Sequence, residues 1–201
     1  LKNVDGDRVL VTDQAGKRRI SKTNALGQLE EVWEVLAASE AGSESVAFPN
    51  TTVAHGFRTA YGYDTLNNLT TVSQGVQTRT FSYSSLSRLL SAANPESGTI
   101  SYQYDPNGNL TSKTDARSIT TTYSYDALNR VTQRSYSGET GYTTPTVNYT
   151  YGTVAPAIGR LTKVESSIST TEYTEFDILG RIKAHKQTTD GQDYTTGYVY
   201  N

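Results

Sequence analysis

The chain has 201 residues, a formal net charge of -2, two histidines and no cysteine or methionine. Near-neutral charge excludes broad electrostatic attraction to nucleic acid or anionic membrane. The lack of cysteine removes disulfides, thiolate metal sites and thiol catalysis together. No apolar run reaches the length needed to cross a bilayer as a helix. Hydrophobic residues make up only 35%, yet there are 15 tyrosines. With abundant Thr and Ser, this composition suits a half-wet β-sheet in which rings pack while hydroxyls stay solvated.

In chain order, the first turn signal is Asp13-Gln-Ala-Gly16, followed by the basic run Lys17-Arg18-Arg19, read as a solvated strand edge. Asn24 and Gly27 then bracket a second turn, and Leu29 starts the strand that returns from it. Leu29, Val32, Trp33 and Leu36 also fit a period near 3.6, but Leu29 holds the aliphatic position that follows every later turn, so a strand is expected. From Asn24 to Asp64 the gap is 40 residues, and the excess falls in residues 37–56, rich in Ala, Ser, Glu and Gly. That stretch reads as a long loop insertion.

From Tyr61 onward a unit repeats. Tyr63-Asp64, Tyr83-Ser84, Tyr104-Asp105 and Tyr125-Asp126 follow one another at steps of 20, 21 and 21 residues. Phe176-Asp177 continues the series, and Tyr200-Asn201 starts another copy. The pairs Tyr61/Tyr63, Phe81/Tyr83, Tyr102/Tyr104, Tyr123/Tyr125, Tyr149/Tyr151 and Tyr198/Tyr200 have period 2, which puts both rings on one face of a strand. The next residue is Asn24, Asp64, Ser84, Asp105, Asp126 or Asp177, each with a side-chain oxygen able to accept a backbone N–H two residues on. Three positions later stand Gly27, Asn67, Ser87, Gly108, Asn129 and Gly180, the residue types that tolerate positive φ; Ser87 carries some strain there.

Leu29, Leu69, Leu89, Leu110, Val131 and Ile182 start the return strands. A second kind of turn is expected at Gln74-Gly75, Asn94–Gly98, Ser137-Gly138 and Asp190-Gly191, alongside Asp13–Gly16. Strands of about ten residues joined in this way form an antiparallel meander. Two irregularities stand out: a lengthened turn at 152–158, and Tyr173-Thr-Glu-Phe176, whose aromatic spacing of three predicts a β-bulge or a slipped register. The whole of 1–201 is therefore expected to be one array, all-β, of tandem antiparallel β-hairpins in a continuous twisted sheet. No unit can bury its own apolar face alone, so each needs its neighbours. With no polar capping unit at either end, the chain reads as a piece of a longer array with open strand edges, and such a piece is expected to self-associate.

Chemistry of other kinds is thin. His55 and His185 lie 130 positions apart without acidic companions at ligand spacing, and are expected to be surface polar residues. The acids at 64, 105, 126 and 177 belong to turns, since a catalytic carboxylate pair has no reason to recur every 21 residues. Phosphate-binding loops and nucleophile elbows are missing. No catalytic, cofactor-binding or metal-binding residue is expected, and no cofactor. Tyr102 and Tyr104 are the candidate rings for stacking against sugars, the basis of an alternative reading as a carbohydrate- or cell-wall-binding module. Choline-binding repeats have aromatic hairpins of similar length but depend on recurrent Trp, and Trp33 is solitary.

The repeating residues resemble the YD repeat, also called the RHS repeat, close to Tyr-x-Tyr-Asp-x-x-Gly-Arg-Leu. Tyr125-Asp-Ala-Leu-Asn-Arg130, Phe176-Asp-Ile-Leu-Gly-Arg181 and Tyr104-Asp-Pro-Asn-Gly-Asn109 carry the likeness best, with Tyr63, Asp64, Tyr83, Gly108 and Gly180 at its other fixed positions. The resemblance implies a β-ribbon that spirals into a hollow shell, as in RHS proteins, insecticidal toxin complexes and teneurins. Such shells enclose a C-terminal segment, often a toxin. It therefore implies a non-enzymatic, secreted or cell-surface wall segment whose partners are neighbouring repeats and an enclosed C-terminal toxin domain; a cell-surface glycan is the partner expected under the alternative, sugar-stacking reading. Bacterial members end their shell with a segment of the type Asp-Pro-x-Gly-Leu and cleave themselves there. Asp105-Pro-Asn-Gly108 matches its first half, but Asn109 follows and the segment keeps repeat register, so no cleavage site is carried over.

Overall fold

A computed structural model describes residues 2–35 and 56–201. The loop expected at 37–56 thus lies, apart from its last residue, outside the described residues, and so does His55. The chain divides into two compact units, Leu1–Thr99 and Ile100–Asn201.

The first unit holds β1 (Lys2–Asp5), β2 (Arg8–Thr12), β3 (Arg18–Thr23), β4 (Leu29–Val35), β5 (Gly56–Tyr63), β6 (Leu69–Gln74), β7 (Gln77–Tyr83) and β8 (Leu89–Asn94). Each pairs antiparallel with the next. Leu29–Val35 is a strand, so the aliphatic position after the turn outweighs the competing helical spacing. β9 (Gly98–Tyr104), whose first two residues still belong to the first unit, β10 (Leu110–Thr114), β11 (Thr120–Tyr125), β12 (Val131–Ser137), β13 (Val147–Tyr151), β14 (Leu161–Glu165), β15 (Ser169–Phe176), β16 (Ile182–Thr189) and β17 (Gln192–Gly197) follow the same rule. Among the described residues there is no helix. The all-β meander is what the alternating pattern dictates.

The fold is a sheet with a thin core. Fully buried apolar side chains among the described residues are Leu10, Ile20 and Ala92. Leu10 and Ile20 are register partners, Ile20 in turn pairs with Trp33, and the indole packs on both. The period-2 rings behave as expected: in β7, β9 and β11 each aromatic is half-buried while the residue between, Ser82, Gln103 or Ser124, is exposed. Stability is therefore distributed along the array, as in other repeat proteins.

Two features shape the hairpins. Thr189 pairs with Gln192 across Asp190 and Gly191, both with positive φ, which gives the two-residue turn whose twist matches the strands. At the aromatic–Asp hairpins the residue after the return aliphatic is left out of register: Glu30, Thr70, Leu90, Thr111, Thr132, Thr162 and Lys183 are each skipped. This recurrent bulge increases local twist. The hydroxyls of Thr70 and Thr162 donate to the carbonyls of Gly62 and Thr150 opposite, 3.1 Å each. Near Tyr173–Phe176 the register slips twice, between Tyr173 and Glu175 and again before Phe176. The aromatic spacing of three thus marks an extra irregularity on top of the recurrent one.

Candidate functional site: the braced hairpin tips

Each aromatic–Asp turn is closed by its first residue. Asp126 accepts the backbone N–H of Leu128 at 2.9 Å and of Arg130 at 3.0 Å through one carboxylate oxygen. Asp64 and Asp177 do the same at 2.8–2.9 Å. Asn24 uses its amide oxygen and Ser84 its hydroxyl on the equivalent donors, while Asp105 takes the N–H of Asn109 at 2.8 Å. The left-handed residue follows as expected, with φ of 66° at Asn67, 58° at Ser87, 91° at Gly108, 60° at Asn129 and 71° at Gly180.

The turns first assigned to a different kind do not all differ. Asp13 accepts from Ala15 and Lys17, with Gly16 at positive φ. Asp115 accepts from Arg117 and Ile119, with Ser118 at φ 65°. Asp13–Gly16 is therefore the same closed turn placed at the opposite end of the hairpins, and Asp115–Ser118 is one the sequence reading missed. The signal was present in both: an acid three residues before Gly or Ser.

The residue four places after the turn acid joins one tip to the next. It first braces its own turn: Asn68 donates to Asp64 at 2.9 Å, Asn109 to Asp105 at 2.8 Å, Arg130 Nε to Asp126 at 2.8 Å and Arg181 Nε to Asp177 at 2.6 Å. It then reaches outward. Gln28 donates to Asn67 Oδ1 at 2.9 Å, Asn109 to Asn129 Oδ1 at 2.8 Å and Arg130 Nη1 to the Gly159 carbonyl at 3.1 Å. Arg160, which holds this place in the lengthened turn, donates to the Leu179 carbonyl at 3.1 Å.

The aromatic ring adds a second link. Tyr63, Tyr125, Tyr151 and Tyr200 donate their hydroxyls to the carbonyls of Leu29, Leu110, Val131 and Ile182 at 3.0, 2.8, 2.9 and 2.7 Å. Each acceptor is the first residue of the preceding return strand. The Arg130 guanidinium lies 4.2 Å from the Tyr151 ring centroid and Arg181 4.4 Å from that of Tyr200, so arginine, acid and the next tyrosine form one contact chain. A planar fork that can pair with a carboxylate and stack on a ring explains the arginine of the motif, and lysine lacks that geometry.

Tyr102 and Tyr104 are half-buried on β9, and Tyr83, also half-buried, ends β7. His185, on β16, stands between Tyr173 and Tyr198, 6.2 and 5.7 Å between ring centroids, with the Tyr198 hydroxyl 3.1 Å from Nδ1. It is thus a ring in the aromatic row. Among the described residues no group of three or more His, Cys, Asp or Glu side chains is arranged to hold a metal ion.

The turn carboxylates are held below the ordinary range. The Arg130 guanidinium acts first on Asp126, the Asn68 and Asn109 amides on Asp64 and Asp105, the Arg117 guanidinium on Asp115, and the Arg181 backbone N–H on Asp177. A depressed native pKa contributes stability that is present above the unfolded carboxylate value of about 3.9 and is lost as pH falls through that value toward the native one. The urea midpoint is therefore expected to fall between about pH 5 and about pH 3. An unchanged midpoint across that window would contradict the turn geometry.

Comparison with known proteins places this arrangement. The RHS Repeat family model matches residues 104–140, which span the Asp105 and Asp126 turns. Among solved structures, one of TcdB2-TccC3 aligns with all of this chain at 10% identity and a TM-score of 0.72. A Tc holotoxin pore of Photorhabdus luminescens aligns equally fully at 10% identity and a TM-score of 0.71. In both, this chain covers 11% of the matched chain. At that identity the likeness is one of fold. No curated protein matches the sequence.

Proposed function

We propose that this chain, which belongs to the RHS/YD-repeat family, is a non-catalytic wall segment of a β-shell that encloses a toxin segment C-terminal to it. The observation that carries this reading is the tip-to-tip bracing. Ladder hydrogen bonds alone hold a sheet together, but links from Asn109 to Asn129, Arg130 to Gly159 and Arg160 to Leu179 also lock the rim of the sheet from hairpin to hairpin. A wall needs that rim to stay closed while carrying no chemistry of its own. Half-buried rings on strand after strand give it a continuous packed face, and the turn acids are spent on backbone donors and braces, which leaves them unsuited to proton transfer.

The partners in this reading are the adjoining repeats of the same polypeptide and the enclosed segment, and the setting is extracellular or at the cell surface. The TcdB2-TccC3 chains that share the fold supply the analogy, at the level of fold. Half-burial of Tyr102 and Tyr104 supports their assignment to the wall over a role as sugar-stacking platforms.

The test is limited proteolysis of the chain together with its natural flanking sequence. The segment that follows the array is expected to resist protease in the native assembly and to become cleavable when the rim is opened by Arg130→Gln with Arg160→Gln. Equal cleavage with and without the array would overturn the reading.

A further inference from the structure

Between the tips of the β13–β14 and β15–β16 hairpins lies a cavity of about 440 Å³, lined by Arg160, Tyr173, Phe176, Gly180, Arg181 and Ile182 among others. Its charge follows from the repeat register. Asp126 N–H bonds the Arg130 carbonyl at 2.9 Å and Asp177 N–H the Arg181 carbonyl at 2.9 Å; in the lengthened turn Gly152 N–H bonds the Arg160 carbonyl at 2.8 Å. Gly152 therefore stands where the other two turns have an acid, and Arg160 stands where they have the arginine that neutralises it. Among the described residues no carboxylate lies within ion-pair reach of Arg160, whereas Arg181 is paired with Asp177 at 2.6 Å.

The register cannot be repaired locally. A Cβ at Gly152 would collide with the Ala157 carbonyl, so the chain gains no side chain there. Arg160 is instead laid toward the next tip, where Nη2 donates to Leu179. Its guanidinium rests against Gly180, a buried glycine at φ 71° whose missing Cβ leaves the room it occupies. The side chain is thus fixed at the mouth of the cavity, with one of its five donors engaged and the rest of its planar fork directed to no acceptor among the described residues.

From this geometry we infer that the cavity binds a carboxylate carried on a ring-sized apolar body. Arg160 takes the carboxylate through its fork, as arginine does with planar oxyanions. Phe176, Ile182 and Tyr173 line the open hollow that would take the apolar part, and its volume lies within the range of small-molecule pockets. One uncompensated positive charge suits a monoanion, because the second arginine is already neutralised. The site does not depend on the shell reading, since it rests on one missing acid and one hollow.

The test follows amide resonances of Phe176 and Gly180 in the 201-residue chain during titration with phenylacetate, its uncharged isostere phenylacetamide and the peptide acetyl-Gly-Phe. A saturable shift is expected with phenylacetate, weakened about tenfold or more in phenylacetamide and in Arg160→Gln. Arg160 is exposed and outside the strand ladder, so the variant loses its brace to Leu179 but keeps the sheet, which circular dichroism checks. Tighter binding of the peptide assigns a polypeptide C-terminus as the source of the carboxylate, and the reverse order assigns a free acid. Absence of saturation, equal binding of acid and amide, or indifference to Arg160→Gln would each overturn the inference.

Discussion

Ile20→Ala is expected to cost the first unit roughly 2–5 kcal/mol, the range for emptying a buried aliphatic site. Ile20 is 2% exposed and lies between Leu10 and Trp33 in strand register. In a thick globular core the neighbours of a truncated side chain relax inward from several sides. Here the fully buried apolar side chains of the unit, among the described residues, are this pair and Ala92, so few buried neighbours are on hand to fill the gap. The chain's single tryptophan packs on the same cluster, so its fluorescence reads the loss directly as a lower urea midpoint. Leu66→Ala supplies the contrast: that leucine is 53% exposed at a hairpin tip, and its removal is expected to change stability by less than about 0.5 kcal/mol. Equal effects of the two substitutions would refute the thin-core description.

The same cluster shows why the sequence reads so well for strands and so poorly for what joins them. Aromatic-x-aromatic alternation and an acid or hydroxyl residue three places before Gly, Asn or Ser are local signals with a fixed period, and β5 to β12 follow them. Leu29–Val35 became a strand despite its helical spacing, because the repeat position of Leu29 records tertiary pairing that a periodicity count ignores. The braces carry no comparable signal. Gln28, Asn109 and Arg130 differ in chemistry, share only their place four residues after the turn residue, and act on groups 39, 20 and 29 positions away in the chain, at Asn67, Asn129 and Gly159. The bulge was half-visible: Thr recurs after the return aliphatic at 70, 111, 132 and 162, yet a β-branched residue there also fits an ordinary strand. Arg160 was hidden for the opposite reason. Its register partner is an absence, a glycine where an acid belongs, and only the backbone pairing of Gly152 with Arg160 exposes it.

Gly138→Ala separates backbone strain from collision in the second unit. Gly138 has φ 86°, and a Cβ built there would collide with the carbonyl oxygen of Ser118 in the neighbouring Asp115 turn. Ser118 itself sits at φ 65°, held by its N–H to the Asp115 carbonyl at 2.9 Å, so the obstacle is rigid backbone that cannot rotate aside. Adding about 1–2 kcal/mol for an L-residue in the left-handed region to about 1–3 kcal/mol for overpacking gives an expected loss of roughly 2–5 kcal/mol. Gly141 isolates the first contribution: its φ is 81° but open space surrounds it, so Gly141→Ala is expected to lose only about 1–2 kcal/mol. Urea midpoints give the two losses, and amide exchange locates them. In Gly138→Ala the N–H of Ile119, which donates to Asp115 at 3.0 Å, loses protection, while in Gly141→Ala it does not. If both variants lose the same stability with Ile119 equally protected, the close approach of these two turns is not part of what holds that opposite edge of the hairpins together.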